Sequence, residues 1–280
     1  MDYTKKCGKI KGDCGAMPAA AKKREGLQMI TIREYVRAES LEQAWQLNQK
    51  RTNRVLGGMV WLKMENIPVG TAIDLSALGL DQIQETPEQF SIGAMVTLRE
   101  LEQHAGLAAY AQGAFKEALR HIVGVQLRNL ATVGGSIYSR FGFSDLLTLL
   151  LAMDCDVELY KGGILPLREY AQMPYDRDIL VRLILHKTPA KHLYQSVRPT
   201  RTDLPVLTCA AARTETGFRF ALGARPQRAV LFTFDEGMTP QEMAAAVQAQ
   251  IQTGSNMRGS AEYRRHLAGV LVRRAAEQLV

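Results

Sequence analysis

The run Leu127-Arg128-Asn129-Leu130-Ala131-Thr132-Val133-Gly134-Gly135-Ser136-Ile137 sets a threonine and a glycine pair inside an apolar, strand-prone segment. Glycine in a strand pattern marks a bend, or a place where the backbone must approach something closely. A threonine hydroxyl beside freely oriented backbone N–H groups is what a phosphate requires, so the segment points to a phosphate-bearing cofactor. A second pair, Gly57-Gly58, follows the short apolar run Arg54-Val55-Leu56. Two such turns suit the two ends of a dinucleotide. Either one alone is a weak signal, because a glycine pair in a loop is more often only a tight turn.

Other chemistries find no support in the 280 residues. No GxGxxG follows the first strand and no GxxxxGK precedes a Ser or Thr, which argues against a Rossmann domain and a P-loop. There is no GxSxG elbow for a serine nucleophile. The histidines at 104, 121, 186, 192 and 266 lack paired-ligand spacing, so no metal site is expected. Cys7, Cys14, Cys155 and Cys209 form no CxxC pair and no disulfide framework. Cys155 and Cys209 lie in apolar runs and read as small buried hydrophobes, whereas Cys7 and Cys14 belong to a Gly/Lys-rich tail.

The net charge of +7 invites a nucleic-acid partner until its distribution is examined. Residues 1–28 carry seven basic and three acidic side chains, leaving only +3 for the remainder. No RNA- or DNA-binding motif accompanies the charge, so no nucleic-acid partner is expected; a basic arm or face that docks an acidic protein is at least as good a reading, and the N-terminal arm and the C-terminal helix with Arg264, Arg265, Arg273 and Arg274 are the candidate docking surfaces. The longest apolar run, Leu146 to Met153, is too short to span a bilayer, and no secretory h-region follows the first lysines. A cytoplasmic location is the default expectation.

Along the chain, residues 1–28 form a basic extension without periodicity, expected to be flexible. Helices are predicted after Ser40 (Ser40 and Gln43 at capping-box spacing), after Thr97 (with Glu100), from Gly113 to Ile122, from Ser144 to Met153, after Thr239-Pro240 and after Ser260. Strands are predicted at Arg54–Leu56, Ala72–Leu75, Phe90–Val96, Asp156–Tyr160 and Ile179–His186. Beyond about Leu193, runs at Val206–Ala212, Phe218–Leu222 and Arg228–Phe232 predict an antiparallel meander. The expected division is therefore 29–193 and 194–280, an α+β chain.

At this point the residues carry a resemblance. His121 through Ile137, followed by Ser144-Asp145-Leu146 and its apolar helix, resembles the flavin-binding medium subunit of the molybdenum hydroxylases, the family of xanthine dehydrogenase-like and carbon monoxide dehydrogenase-like enzymes. Arg54-Val55-Leu56-Gly57-Gly58, the Ser91–Glu100 strand and turn, the Arg198–Asp203 stretch and the Ser260–His266 helix start fit the same family in order. The resemblance covers about residues 29–280. It implies a vanillyl-alcohol-oxidase-type (PCMH) FAD-binding fold of two subdomains plus a small α+β C-terminal domain.

The resemblance further implies FAD, held by a first loop of Leu56, Gly57, Gly58, Met59 and Val60 and a second of Thr132, Val133, Gly134, Gly135 and Ser136. Asp145 falls where the family binds a ribose hydroxyl, and Ile122, Leu180 and Gln195 fall at pocket-lining positions. No catalytic side chain is implied. The implied role is electron relay, from the [2Fe–2S] clusters of a small subunit, fed by a molybdopterin-binding large subunit, through FAD to an acceptor such as NAD. Alternatives are a flavin-free or weakly binding scaffold or assembly subunit of the same complex and a stand-alone flavin oxidoreductase. The chain departs from the pattern at Met59-Val60-Trp61, where the family has polar residues, at Ser136 for Asn, at Gly142 for Pro and at Gln195 for Lys. On this reading the second loop is the more dependable half of the phosphate cradle, and Arg140 either restores positive charge near the cofactor or faces solvent.

Overall fold

The structure, a computed structural model, describes residues 30–280; the basic extension, with Cys7 and Cys14, lies outside the described residues. The first sheet holds β1 (Thr31–Arg37), β2 (Arg54–Leu56) and β3 (Pro68–Asp74), with β3 between two parallel neighbours and α1 (Leu41–Asn48) as a crossover. Ser40 caps α1 by accepting the Gln43 N–H at 3.1 Å. Gln43 returns its carboxamide oxygen to the N–H of Glu39 at 2.7 Å instead of to Ser40, so only half of the expected capping box forms.

The second sheet comprises β4 (Ile83–Glu85), β5 (Gln89–Gly93), β6 (Cys155–Leu159), β7 (Gly163–Pro166) and β8 (Leu180–His186), antiparallel in the order β4-β5-β8-β6-β7. Phe90 and Ile92 alternate into the core from β5, as the period-2 pattern predicts. Between β5 and β6 lie α2 (Leu98–Gln103), α3 (Ala105–Tyr110), α4 (Ala114–Leu119), α5 (Val125–Arg128), α6 (Val133–Tyr138) and α7 (Asp145–Ala152), and α8 (Leu167–Tyr170) follows β7. Thr97 and Glu100 form a complete capping box ahead of α2.

The third sheet is the expected meander: β9 (Ala190–Val197), β10 (Leu207–Thr214), β11 (Gly217–Gly223) and β12 (Val230–Asp235), all antiparallel. One face is covered by α9 (Pro240–Gln250), whose Thr239–Glu242 capping box forms with Pro240 in the first turn, and by α10 (Ala261–Leu279). Leu267, Leu271, Val272, Ala275 and Leu279 bury the helix-spaced stripe of α10. The strand β9 was not foreseen, and it runs through Leu193. Every residue of α7 is buried, because this helix is wedged between α4 and the strands β10 and β11. Among the described residues no helix is long and apolar enough to cross a membrane.

Three expectations need correction. The segment 127–137 is helical, not a strand interrupted by glycines: α5 and α6 flank a turn, and Thr132 caps α6 by accepting the Gly135 N–H at 3.2 Å. Val133 and Gly134 donate instead to the carbonyls of Val96 and Ala94, at 2.9 and 2.7 Å, so contacts distant in sequence override the local strand preference of Thr, Val and Ile. Arg140 neither faces solvent nor serves as a free charge beside the cofactor. Its buried guanidinium donates to the Tyr170 and Tyr138 carbonyls, pairs with Asp176 at 3.0 Å and lies 3.9 Å from the centre of the Tyr170 ring. Arg264 is also no part of a basic surface on α10, since it is fully buried and donates to the carbonyls of Val206, Gly254 and Gly259. Arg265, Arg273 and Arg274 of the same helix are exposed. Cys155 and Cys209 are buried thiols, as expected, and burial pushes the Cys209 thiol up to about 12.

Candidate functional site

Strand β2 delivers Gly57-Gly58 directly onto the turn between α5 and α6. A Cβ on Gly58 would lie 1.7 Å from the Leu130 carbonyl oxygen, and one on Gly57 would lie 2.8 Å from the Thr132 hydroxyl. Gly134 is equally constrained from behind, where a Cβ would meet the Ala94 carbonyl at 2.8 Å. The glycines thus let two loops touch backbone to backbone. Met59, next in the chain, takes the left-handed conformation with φ of 54°, which for a non-glycine costs roughly 1–2 kcal/mol. A strained residue immediately after the loop contact marks this as a place the fold holds under constraint.

Counting hydrogen bonds separates the two loops. In the second, the N–H groups of Val133, Gly134, Gly135 and Ser136 are all taken, by Val96, Ala94, the Thr132 hydroxyl and the Thr132 carbonyl. Among the described residues, no protein acceptor receives the N–H of Gly58, Met59 or Val60. The expectation that the second loop is the better source of phosphate donors therefore reverses: free backbone donors belong to the first loop, despite its apolar side chains. The second contributes the Thr132 hydroxyl, whose oxygen caps α6 while its proton has no acceptor among the described residues.

Cavities open on both sides of the loop contact. One, of about 520 Å³, is bounded by Asn48, Arg51 and Asn53 beside α1, by Leu75 and Met95, and by the segment Tyr175–Leu180. The other, of about 350 Å³, is bounded by Gly58–Leu62, His121–Val123, Phe141, Phe143, Asp145 and Arg198. Arg54, Val55, Gly57, Thr132, Gly135 and Tyr138 border both. This is a two-lobed cleft with the glycine loops at its waist, each lobe within the usual range for a small-molecule site. A dinucleotide has that shape, with its diphosphate at the middle. The residues present fit FAD.

The cleft gathers most of the residues singled out from the sequence. Leu56, Gly134 and Leu180 line the larger lobe; Gly58, Met59, Val60, Ile122, Ser136 and Asp145 line the smaller; Gly57, Thr132 and Gly135 line both. Val133 is fully buried in the core and borders neither lobe. Gln195 also borders neither: it sits on β9, opposite Cys209, with its carboxamide 3.4 Å from Gln278 of α10.

Asp145 occupies the first turn of α7, where Ser144 accepts the Leu147 N–H and the helix dipole favours an acid. Its Oδ1 accepts a hydrogen bond from the Tyr194 hydroxyl at 2.5 Å and another from the Arg198 guanidinium. Burial pushes the Asp145 carboxyl up, against the opposing pull of Arg198 and Tyr194, and burial beside Asp145 drives the Tyr194 phenol far above its ordinary range. His121, on the same lobe, is pushed down by burial and by Arg120. At the mouth, Trp61 meets Phe141 and Phe143 with ring centres 6.0 and 5.8 Å apart, and about half of Trp61 stays exposed.

Sequence reasoning missed the Tyr194 and Arg198 contacts to Asp145 and the aromatic mouth. Arg198 carried a signal in the stretch that resembles the family, but Tyr194 lies on β9, a strand the sequence pattern did not announce, and carried none. Trp61, Phe141 and Phe143 come together across 80 residues with no local period to announce them.

Residues 28–187 match the family described as the FAD binding domain in molybdopterin dehydrogenase, and residues 233–279 match the carbon monoxide dehydrogenase flavoprotein C-terminal domain. An uncharacterized protein, YgfM, of Escherichia coli strain K12 is 29% identical over 248 residues, covering 86% of this chain and 94% of its own length. The glyceraldehyde dehydrogenase medium chain of Sulfolobus acidocaldarius is 25% identical over 276 residues, covering 88% of this chain and 97% of its own. Among solved structures, the reconstituted CO dehydrogenase of Oligotropha carboxidovorans superposes with a TM-score of 0.79 at 23% identity, over 88% of this chain and 96% of that one.

Proposed function

This chain belongs to the family of FAD-binding domains of molybdopterin dehydrogenases, an oxidoreductase family with the PCMH-type fold, and from that premise we propose that it is the flavin-carrying member of a multi-subunit molybdenum hydroxylase. The observation that carries the reading is the two-lobed cleft pinched by Gly57-Gly58 and Thr132–Gly135, with unpaired backbone donors at its waist. The first loop holds the diphosphate through the N–H groups of Gly58, Met59 and Val60, and Thr132 adds its hydroxyl. These donors need no rearrangement on binding. FAD, when bound, supplies the redox chemistry, and this chain supplies position and electrostatics.

The partners on this reading are a molybdopterin-binding large subunit and a small subunit carrying [2Fe–2S] clusters, with NAD as the acceptor. The naming of a Sulfolobus relative as a medium chain supports assembly with other chains. No side chain of the cleft needs to act as a general acid or base for an electron relay. A self-sufficient oxidoreductase would need room for a substrate as well, and both lobes are accounted for by one dinucleotide. The experiment is co-purification with the neighbouring chains, followed by acid extraction of any bound flavin. FAD released in proportion to this chain supports the proposal; a colourless complex contradicts it.

A further inference from the structure

Two side chains from the C-terminal part of the molecule reach back to the cleft and grip one carboxylate. Tyr194 projects from β9 and Arg198 follows that strand, yet both donate to Asp145 at the start of α7. All three are nearly buried, with the side chains of Arg198 and Asp145 exposed by 7% and 6%. Both donors fall on the same oxygen, Oδ1. Asp145 and Arg198 together form part of the wall of the smaller lobe.

We propose that Tyr194 and Arg198 are positioning residues that fix the Asp145 carboxylate in one orientation, presenting Oδ2 to a hydroxyl of bound FAD. The proposal rests on the FAD site described above. A carboxylate held at Oδ1 by two donors cannot rotate freely, so its second oxygen is set before the ligand arrives. The Arg198 charge also opposes the burial that would otherwise protonate Asp145, and a protonated acid would accept hydrogen bonds less well. Because Tyr194 lies on β9 and Arg198 just after it while Asp145 lies on α7, the same contacts join that sheet to the cleft.

Other ionisable groups near Asp145 bear on any pH effect. From the α4–α5 connection His121 faces the lobe, and after β9 come Arg198 and Asp203, the latter paired with Arg258 at 3.0 Å. The Arg198 charge also holds the His121 pKa down, so Arg198→Met releases it, whereas Tyr194→Phe leaves that charge in place.

The test is titration of the flavin-depleted full-length chain with FAD from pH 6 to pH 9, read by flavin fluorescence. Arg198→Met and Tyr194→Phe are expected to weaken binding by about 10- to 100-fold at pH 6; for Arg198→Met, which also removes the charge opposing protonation of Asp145, the loss shrinks as the pH rises. Arg198→Lys should restore part of the loss. Asp145→Asn should abolish this pH-dependent part, and Tyr194→Phe added to it should change affinity by less than about twofold, the mark of two groups acting through one. Tyr194→Phe keeps the ring in place, so it reads the effect even if Arg198→Met fails to fold. Losses that simply add in the Asp145→Asn, Tyr194→Phe double variant, or variants that bind like wild type, overturn the positioning role alone. A wild-type chain that binds no FAD at any pH overturns the site and this proposal together.

Discussion

Replacing Gly58 by alanine tests the contact on which the cleft depends. The added Cβ would fall 1.7 Å from the Leu130 carbonyl oxygen, 2.4 Å from its carbon and 2.8 Å from the Ala131 nitrogen. All three are backbone atoms, so no side chain can swing aside; the loop after β2 and the α5–α6 turn must separate by about 1.5 Å to restore ordinary contact. Forced overpacking of this kind costs about 3 kcal/mol, the upper end of the usual range. For a chain of this size that corresponds to a fall in melting temperature of about 6–12 °C. FAD affinity should fall further, because parting the loops displaces the Gly58–Val60 donors from the Thr132 hydroxyl; losing one hydrogen bond to a charged group costs about 1.5–3 kcal/mol.

The matched control is Gly79→Ala. Its Cβ meets nothing within 4 Å, and its φ of +65° confines the cost to backbone preference, about 1–2 kcal/mol, with FAD affinity unchanged. Thermal unfolding and FAD titration of both variants decide the matter. A Gly58→Ala chain that melts and binds like wild type would refute the loop-contact argument.

Other outcomes follow from buried charges and from backbone strain. Arg140→Met should destabilise the protein by about 3–5 kcal/mol, because it leaves Asp176 and two carbonyls without their donor; urea unfolding checks this. His192 is buried with its pKa pushed down to about 4, by burial first and by Arg219 second. Its folded form stays neutral while the unfolded form takes up a proton below about 6.5, so its contribution is complete above that value and is lost as pH falls toward 4. Between pH 7 and pH 5 this removes about 2 kcal/mol, and His192→Phe should flatten that part of the stability profile. Met59→Gly relieves the left-handed strain at φ 54° and should leave the melting temperature unchanged or raise it by a few degrees, with FAD binding retained because the backbone N–H remains.

Elements governed by local chemistry were legible in the sequence. The Thr97–Glu100 and Thr239–Glu242 boxes carry both partners within four residues, β5 alternates cleanly, and Ser144 announces α7. The loops of the cleft were legible through their glycines and through family resemblance. Segment 127–137 was misread because its Val, Thr and Ile prefer strands locally, while its helix is fixed by carbonyls of residues 94 and 96 and by a bridge from Thr132 to Thr97. Arg264 reads as part of a basic helix surface, and Arg140 as a charge near the cofactor or at the surface, because arginine is usually exposed; their carbonyl partners lie up to 58 residues away and leave no local trace. The donor status of the two loops was likewise hidden, since side-chain identity does not say which backbone N–H groups are already paired.

The central claim is that this chain holds FAD across the two glycine loops. Its most direct test is the stoichiometry and affinity of FAD on the purified full-length chain, compared with a variant carrying Gly58→Ala and Thr132→Val. The account predicts one FAD per wild-type chain and strongly reduced occupancy in the variant. Equal FAD content in both proteins would contradict it.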